Sequence, residues 1–461
     1  VRGDIMAGVA KIDATLPYAT AEDPNGVPIA GYNHGERRVP KFPIPQFTKY
    51  TTFMTPSQGF LNPTWVKALV VDDGINRICF VSLDLMSADG SLAFLAHTMA
   101  RADGFTVPFE NTIFSASHTH SGPGAFTPEF AIQITPTMDI FVPSVQRMLA
   151  EKMAQAMVEA EANLQPAAIG TGQGLLANVT HNRRADISPY LEEDSIDPNV
   201  GVLRVDDVQG NALATLWNFA IHGVCYGPDN MKFSSDIMGG ACDSIEAMGG
   251  GVAIFMNADA GDISPDGWAC DATDTEEFAG APVIAAEVMT ARDGAAVETG
   301  VTISTASKVE DFGQMEANWT LSRNKDCHVG GPHNACTICT VLNPDWCTLN
   351  LPGGEGWTEE VLRFTGFRLS FSDKEVGVVT VPGEPLFSLG QQIRADNQEL
   401  GFKELFLSGY TNHYANYFAT PEEYVIGGYE AGLTLFGINT AEKVRKQCFE
   451  VMQSISPRFH P

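Results

Sequence analysis

Short apolar runs rich in β-branched residues recur along this chain, and longer stretches with apolar residues at helical spacing separate them. Such alternation between a two-residue and a 3.6-residue period is the mark of strand–helix units. Lys67 to Val71 and Ile78 to Leu83 flank the turn Asp72-Asp73-Gly74, a hairpin signal. Further strands are predicted at Asn111 to Ser117, Gly201 to Val205, Ala212 to Phe219, Val252 to Met256, Glu375 to Val381 and Glu404 to Ser408. The Ala- and Met-rich stretch Val142 to Ala162 predicts a long helix. Ser234 to Met248, Thr275 to Arg292 and Pro385 to Gln398 predict three more. The expected class is α/β, with a central β-sheet core flanked by helices. From about Ser307 to Glu360 the pattern gives way to Cys-, Gly-, Pro- and Asn-rich sequence, read as a surface excursion.

Charge narrows the partners. The 461 residues carry 28 Lys and Arg against 56 Asp and Glu, a formal net charge of −28. Nucleic acids and anionic membrane surfaces are bound through clustered cations, so neither is expected here. No run of about 18 apolar residues occurs, and no transmembrane segment is expected. Of nine cysteines, Cys327, Cys336, Cys339 and Cys347 crowd into the turn-rich excursion. Two disulfides are expected there; a structural zinc is the rival, given the spacing of Cys336 and Cys339. The chain opens at Val1 without a leader-like profile, and Asn178-Val179-Thr180 and Asn318-Trp319-Thr320 are glycosylation sequons. Together these features predict a secreted, extracellular glycoprotein. An acidic, Cys-bearing, loop-rich exterior also suits a homo-oligomer or a larger assembly.

Chemistry-bearing residues gather where the predicted strands end. His118 and His120, in Ser117-His118-Thr119-His120-Ser121-Gly122-Pro123-Gly124, follow one apolar run, and residues two apart on an extended strand share a face. His222 closes Asn218-Phe219-Ala220-Ile221 in the same way, and Glu384 follows the turn Val381-Pro382-Gly383. Taken singly, each also suits an ordinary core or surface residue. As a set they are the nitrogen and oxygen donors that Zn²⁺ takes. His118, His222 and Glu384 stand roughly 100 and 160 residues apart, which excludes a zinc finger and suits a site assembled from separate strands. Aromatic residues around Tyr414, Tyr417, Tyr424 and Tyr429 read locally as packing. Ser264, in Gly261-Asp262-Ile263-Ser264-Pro265-Asp266, lacks the pattern of a nucleophile elbow and reads locally as part of a turn.

Ser117 to Pro123, Phe219 to His222, Gly261 to Pro265 and Val381 to Glu384, in this order, resemble the neutral (non-lysosomal) ceramidase family. The tail from Tyr417 through Thr420, Glu422, Glu423 and Tyr424 to Tyr429 and Glu430 resembles it too, as do Gly8 to Asp13, Gly31-Tyr32 and Asn182-Arg183 through Tyr190. The resemblance implies one catalytic domain over residues 1–461 with the Cys-rich stretch, about 307–360, inserted in it. The immunoglobulin-like domain that usually follows in the family is not expected within this chain. It also implies a zinc-dependent amidohydrolase cleaving the N-acyl bond of ceramide into fatty acid and sphingosine through metal-activated water. Carried over by position, His118, His222, Glu384 and Tyr417 would be the metal ligands. His120 would sit beside the activated water, Arg183 and Tyr429 would face the substrate carbonyl, and Ser264 would be a nearby donor or the nucleophile. Asp259, Asp266 and Arg184 depart from the family pattern. Two alternatives stand beside this reading: the same site acting on another amide, an ester or a lactone, and a relative with a silent site in a structural or assembly role.

Overall fold

The computed structural model describes residues 4–32, 35–37, 47–134, 138–272, 278–318, 350–352 and 357–460. The strand at Met6–Asp13 (β1) pairs with Trp65–Asp72 (β2), which forms the expected antiparallel hairpin with Arg77–Leu83 (β3). These join Thr112–Ala116 (β4), Gln165–Leu175 (β5), Asn199–Asp207 (β7), Ala212–Phe219 (β8) and Val252–Asn257 (β9) in an eight-stranded mixed sheet. Its order is β4-β3-β2-β1-β5-β7-β8-β9. A second, four-stranded sheet is ordered β11-β14-β15-β17, from Thr302–Asp311 (β11), Val361–Ser370 (β14), Glu375–Thr380 (β15) and Glu404–Ser408 (β17). Three short pairs complete the strands: Thr180–Asn182 (β6) with Ile263–Pro265 (β10), Glu316–Asn318 (β12) with Asn350–Pro352 (β13), and Glu384–Pro385 (β16) with Tyr417–Phe418 (β18).

Both faces of the large sheet are covered, which is why its strands read as unbroken apolar runs. In β2, Val66, Ala68 and Val70 join a core shared with helices Gly90–Ala102 and Pro143–Ala162. Leu69 and Val71 lie in another, with Ile303, Phe367, Val378 and Phe406 of the second sheet. Trp217 and Phe255 pack with helices Asp236–Ala247 and Gly280–Gly294. Beyond the second sheet, Leu389, Ile393, Val444 and Val451 bring in helices Phe387–Glu399 and Thr440–Gln453. The layers thus run helix, sheet, sheet, helix, so the expected β core consists of two sheets packed face to face.

Strand β5 was hidden from the sequence pattern by Gly170, Gly172 and Gly174. A Cβ on Gly172 would sit 2.0 Å from the carbonyl oxygen of Ala291, so the glycine admits the helix backbone against the strand. The excursion begins later than expected, since β11 runs to Asp311 and pairs with β14. Cys327, Cys336, Cys339, Cys347 and the predicted pairings among them lie outside the described residues, as do Trp319 and Thr320 of the second sequon. One disulfide that the sequence did not single out joins Cys225 and Cys270, and Cys79, Cys242 and Cys448 are buried free thiols. Among the described residues no helix is long and apolar enough to cross a membrane.

The pairs β3–β4, β8–β9 and β15–β17 are parallel, and their carboxyl ends are stitched together. Ala116 N donates to Tyr410 O at 3.0 Å, Asn412 N to Phe114 O at 2.7 Å, and Gly409 N to Asn257 O at 3.0 Å. The histidines and Glu384 emerge from this seam.

Candidate metal centre

Strand β4 ends at Ala116, and His118 then adopts φ +66°. That left-handed conformation costs a non-glycine residue on the order of 1–3 kcal/mol and persists where its surroundings demand it. The expectation that His118 and His120 share a strand face therefore needs correcting. They do converge, with their Nε2 atoms 3.2 Å apart, but a turn beyond the strand brings them together. His222 follows β8, its N–H donating to Ile263 O at 3.0 Å, and its Nε2 lies 3.1 Å from that of His118. Glu384 arrives from the second sheet on β16, paired directly with Tyr417 on β18. Its Oε2 is 3.4 Å from His118 Nε2 and 3.5 Å from His222 Nε2. His118, His120, His222, Glu384 and Tyr417 are all buried.

Each imidazole is held from behind by a carbonyl. His118 Nδ1 meets Met86 O at 2.6 Å, His222 Nδ1 meets Ala260 O at 2.6 Å, and His120 Nδ1 meets Gly31 O at 3.2 Å. Gly31, at φ +111°, is required for that last contact, since a Cβ there would lie 2.7 Å from His120 Cβ. A carbonyl can only accept, so each Nδ1 carries the proton and each Nε2 presents a lone pair. Burial keeps the rings neutral: the His118 imidazole is pushed down to about 3, and His120 and His222 fall well below the usual range. Three lone pairs and a carboxylate oxygen aimed at one point repel one another unless a cation lies between them. Among the described residues His118, His120 and His222 are the grouping of donors close enough to share an ion. Nitrogen and oxygen donors of this kind fit zinc. Without a cation, burial pushes the Glu384 carboxyl up to about 8, against hydrogen bonds from Tyr414, Tyr417 and Tyr410 and the charge of Arg183. A bound cation acts in the opposite direction.

Arg183 lines the site beside this group. Its Nη2 donates to Gly261 O at 2.7 Å and to the Tyr417 hydroxyl at 3.1 Å, and its Nε donates to Glu430 Oε1 at 2.7 Å. The rings of Tyr417 and Tyr429 are 5.4 Å apart, and the Arg183 guanidinium lies 5.8 Å from the Tyr429 centroid. Ser264 is half-buried on β10 and pairs with His181 of β6. Its neighbour Ile263 accepts from the His222 N–H, so Ser264 belongs to the same wall.

The family profile described as "Neutral/alkaline non-lysosomal ceramidase, N-terminal" matches residues 45–297 and 357–446. The chain belongs to this ceramidase family. The interruption in the match contains Cys327, Cys336, Cys339 and Cys347. The neutral ceramidase of Pseudomonas aeruginosa is 26% identical over 455 residues, covering 84% of this chain and 66% of the relative. Neutral ceramidase A of Dictyostelium discoideum is 22% identical over 455 residues, covering 75% and 61%. The chain thus spans just under two thirds of these two ceramidases. The crystal structure of the Pseudomonas aeruginosa neutral ceramidase superposes on 99% of this chain and 75% of its own with a TM-score of 0.77 at 21% identity. A structure described as ceramidase complexed with C2 gives 0.76 at 22% identity. The fold is that of the neutral ceramidases.

Sequence reasoning missed several residues that build this ceramidase-family site. Tyr414, set aside as packing, donates to Glu384 Oε1, and Tyr410 donates to Oε2 at 3.3 Å while its ring lies 4.2 Å from that of His118. Asn257, at the end of β9, donates to Ser117 O at 3.0 Å and Ile221 O at 2.8 Å, fastening the two histidine segments together. Arg37 is fully buried and donates to the carbonyls of Ala30, His120 and Gly227. The tyrosine-rich run was a usable signal for the first two. Neither Asn257 nor Arg37 had a local signature.

Proposed function

We propose that this chain hydrolyses the N-acyl amide bond of ceramide, or of a closely related N-acyl amide, releasing a fatty acid and an amine. The observation that carries the reading is the convergence of imidazole lone pairs and Glu384 on one buried point, with the Arg183–Tyr417 pair at its edge. Zinc would be held by His118, His222, Glu384 and Tyr417. When bound, the ion would supply Lewis acidity and a water that ionises near neutral pH. His120, whose Nδ1 is committed to Gly31 O, offers Nε2 to take the proton from the attacking water and return it to the departing amine. Arg183 and Tyr429 are the donors for the carbonyl oxygen as it gains charge, and Ser264 adds a hydroxyl from β10. Secretion fits the Cys225–Cys270 disulfide, since such bonds persist in oxidising compartments.

The test is hydrolysis of labelled ceramide by zinc-loaded protein. Glu384→Gln and His222→Ala are expected to lose both zinc and turnover. Ser264→Ala is expected to keep zinc and lose about 10²–10³ in turnover, the cost of one oxyanion donor. An acyl-enzyme trapped on Ser264 would make that serine the nucleophile instead. Wild-type protein that binds zinc yet cleaves no ceramide, acyl amide or ester would overturn the proposal.

A further inference from the structure

Arg184 follows Arg183 directly, yet its guanidinium is spent on other partners. Nε donates to Glu423 Oε2 at 2.9 Å, and Nη1 donates to Glu430 Oε2 at 2.8 Å and to Gly427 O at 3.0 Å. Nη2 meets Glu423 twice, at Oε2 (2.8 Å) and at the carbonyl (3.1 Å). Ser188 Oγ donates to the remaining Glu423 oxygen at 2.6 Å. The Arg184 side chain is 1% exposed, and those of Glu423 and Glu430 are 2% and 4%. With Arg183 these residues form a neutral group of two cations and two anions, the condition under which buried charges persist.

The group has a direction. Glu430 uses Oε2 for Arg184 and Oε1 for Arg183 Nε, so one carboxylate joins the buried guanidinium to the one beside the metal centre. The carbonyls taken by Arg184 belong to the last turn of helix Pro421–Ile426 and to the glycine that ends it. Gly427 and Gly428, both at positive φ, then carry the chain into Tyr429–Gly432, which holds Glu430 and Tyr429. Arg184 therefore clamps the corner that presents both residues. On Arg183, Nε and Nη2 are committed to protein acceptors, and Nη1 makes no hydrogen bond among the described residues. The plane of the guanidinium decides where Nη1 points, and that plane is fixed at Nε by Glu430 and at Nη2 by Gly261 O and the Tyr417 hydroxyl, so Glu430 is the acidic one of three holds.

We propose that Arg184 is a positioning residue: it anchors Glu430, which orients Arg183 so that Nη1 meets the substrate's carbonyl oxygen, while Arg184 touches neither substrate nor metal. The inference rests on reading Arg183 as the donor to that oxygen. Displacement of a reacting group by about 1 Å costs on the order of 10²-fold in rate, so loss of the anchor appears in kcat more than in KM.

The experiment uses the full zinc-loaded chain and labelled ceramide. Arg184→Met is expected to lower kcat about 10–100-fold, to change KM less than about threefold, and to leave zinc content intact. Because that variant strands buried carboxylates, the charge-balanced pair Arg184→Met with Glu423→Gln is measured alongside it, and decides if the single variant does not fold. In an Arg183→Lys background, Arg184→Met should cost less than about threefold more, since a residue acting through Arg183 has nothing left to position. Losses that multiply across this cycle, or full kcat in the charge-balanced pair, would reduce Arg184 to a structural role and overturn the proposal. An activity-independent reading comes from ¹⁵N NMR of the arginine side chains. The Arg183 Nε–H signal, identified by its disappearance in Arg183→Lys, should shift and exchange faster with water in the charge-balanced pair. An unchanged signal defeats the positioning role, whereas wild-type protein inactive on every amide defeats the proposed function.

Discussion

His120 stands almost as close to His118 at Nε2 as His222 does, 3.2 Å against 3.1 Å, yet the two histidines are held differently. His222 Nδ1 has a 2.6 Å bond to Ala260 O, whereas the His120 bond to Gly31 O is 3.2 Å. The looser ring suits a residue that exchanges a proton. His120→Ala is therefore expected to keep near-stoichiometric zinc while losing turnover by about 10²–10⁴, the usual worth of general acid–base catalysis. Elemental analysis showing zinc lost as in His222→Ala would make His120 a ligand. Glu430 carries a second prediction at this scale. Burial alone would raise its carboxyl, but Arg183 and Arg184 prevail and hold it at about 2, below its usual 4.5. A depressed carboxylate contributes stability above its unfolded pKa and loses it as pH falls through the folded value. The contribution is on the order of 3 kcal/mol, present above about pH 4.5 and gone near pH 2. Urea unfolding across that window should show the advantage of wild type over Glu430→Gln shrinking as acid is added.

Among the elements, the seam between strand ends matters more than any single strand. Asn257 is fully buried at the end of β9 and supplies donors to Ser117 O and Ile221 O, one residue before each metal-facing histidine. Asn257→Leu keeps the volume but leaves two carbonyls without that donor, at about 1–3 kcal/mol each. Outer-shell partners of metal ligands also affect affinity by about 10–100-fold, so zinc should bind more weakly in the variant. A chelator competition titration that finds wild-type zinc affinity would contradict this. The Cys225–Cys270 bond ties the segment after His222 to the one after Ser264. Replacing both cysteines by serine should lower stability by about 2–4 kcal/mol, read by thermal or denaturant unfolding of oxidised protein.

At the scale of the molecule, the candidate metal centre and the residues proposed for it draw on both sheets: His118 and His222 follow strands of the first, and Glu384 and Tyr417 follow strands of the second. A zinc ion there would cross-link the two layers. Binding to the folded state alone stabilises by about 4 kcal/mol when free zinc is a thousand times its Kd. Removing zinc with a chelator is thus expected to lower Tm in one cooperative transition, and restoring zinc should recover it. Calorimetry showing no change, or a second-sheet transition that separates only after chelation, would mean that the centre does not couple the layers.

Much of the fold was legible because burial on both sides of a sheet leaves a local mark. The β2–β3 hairpin, strands β8 and β17 and the helix Pro143–Ala162 all appear as apolar runs or periods within a few residues of their observed bounds. His118, His222 and Glu384 were legible too, as polar residues breaking apolar runs where strands stop. The two-sheet packing was not, since a strand's own residues do not say which layer covers it. Glycine-rich β5 was lost for a related reason, as Gly172 answers to the Ala291 carbonyl, Gly170 to that of Ala296 and Gly174 to the Glu287 side chain, each more than a hundred residues away. Tyr410, Tyr414, Asn257, Arg37 and the Cys225–Cys270 pair owe their roles to partners brought close only by the meeting of strand ends. Periodicity reports a residue's burial relative to its neighbours in sequence. Which buried polar atoms face one another depends on long-range closure, and that was decided by the tertiary structure alone.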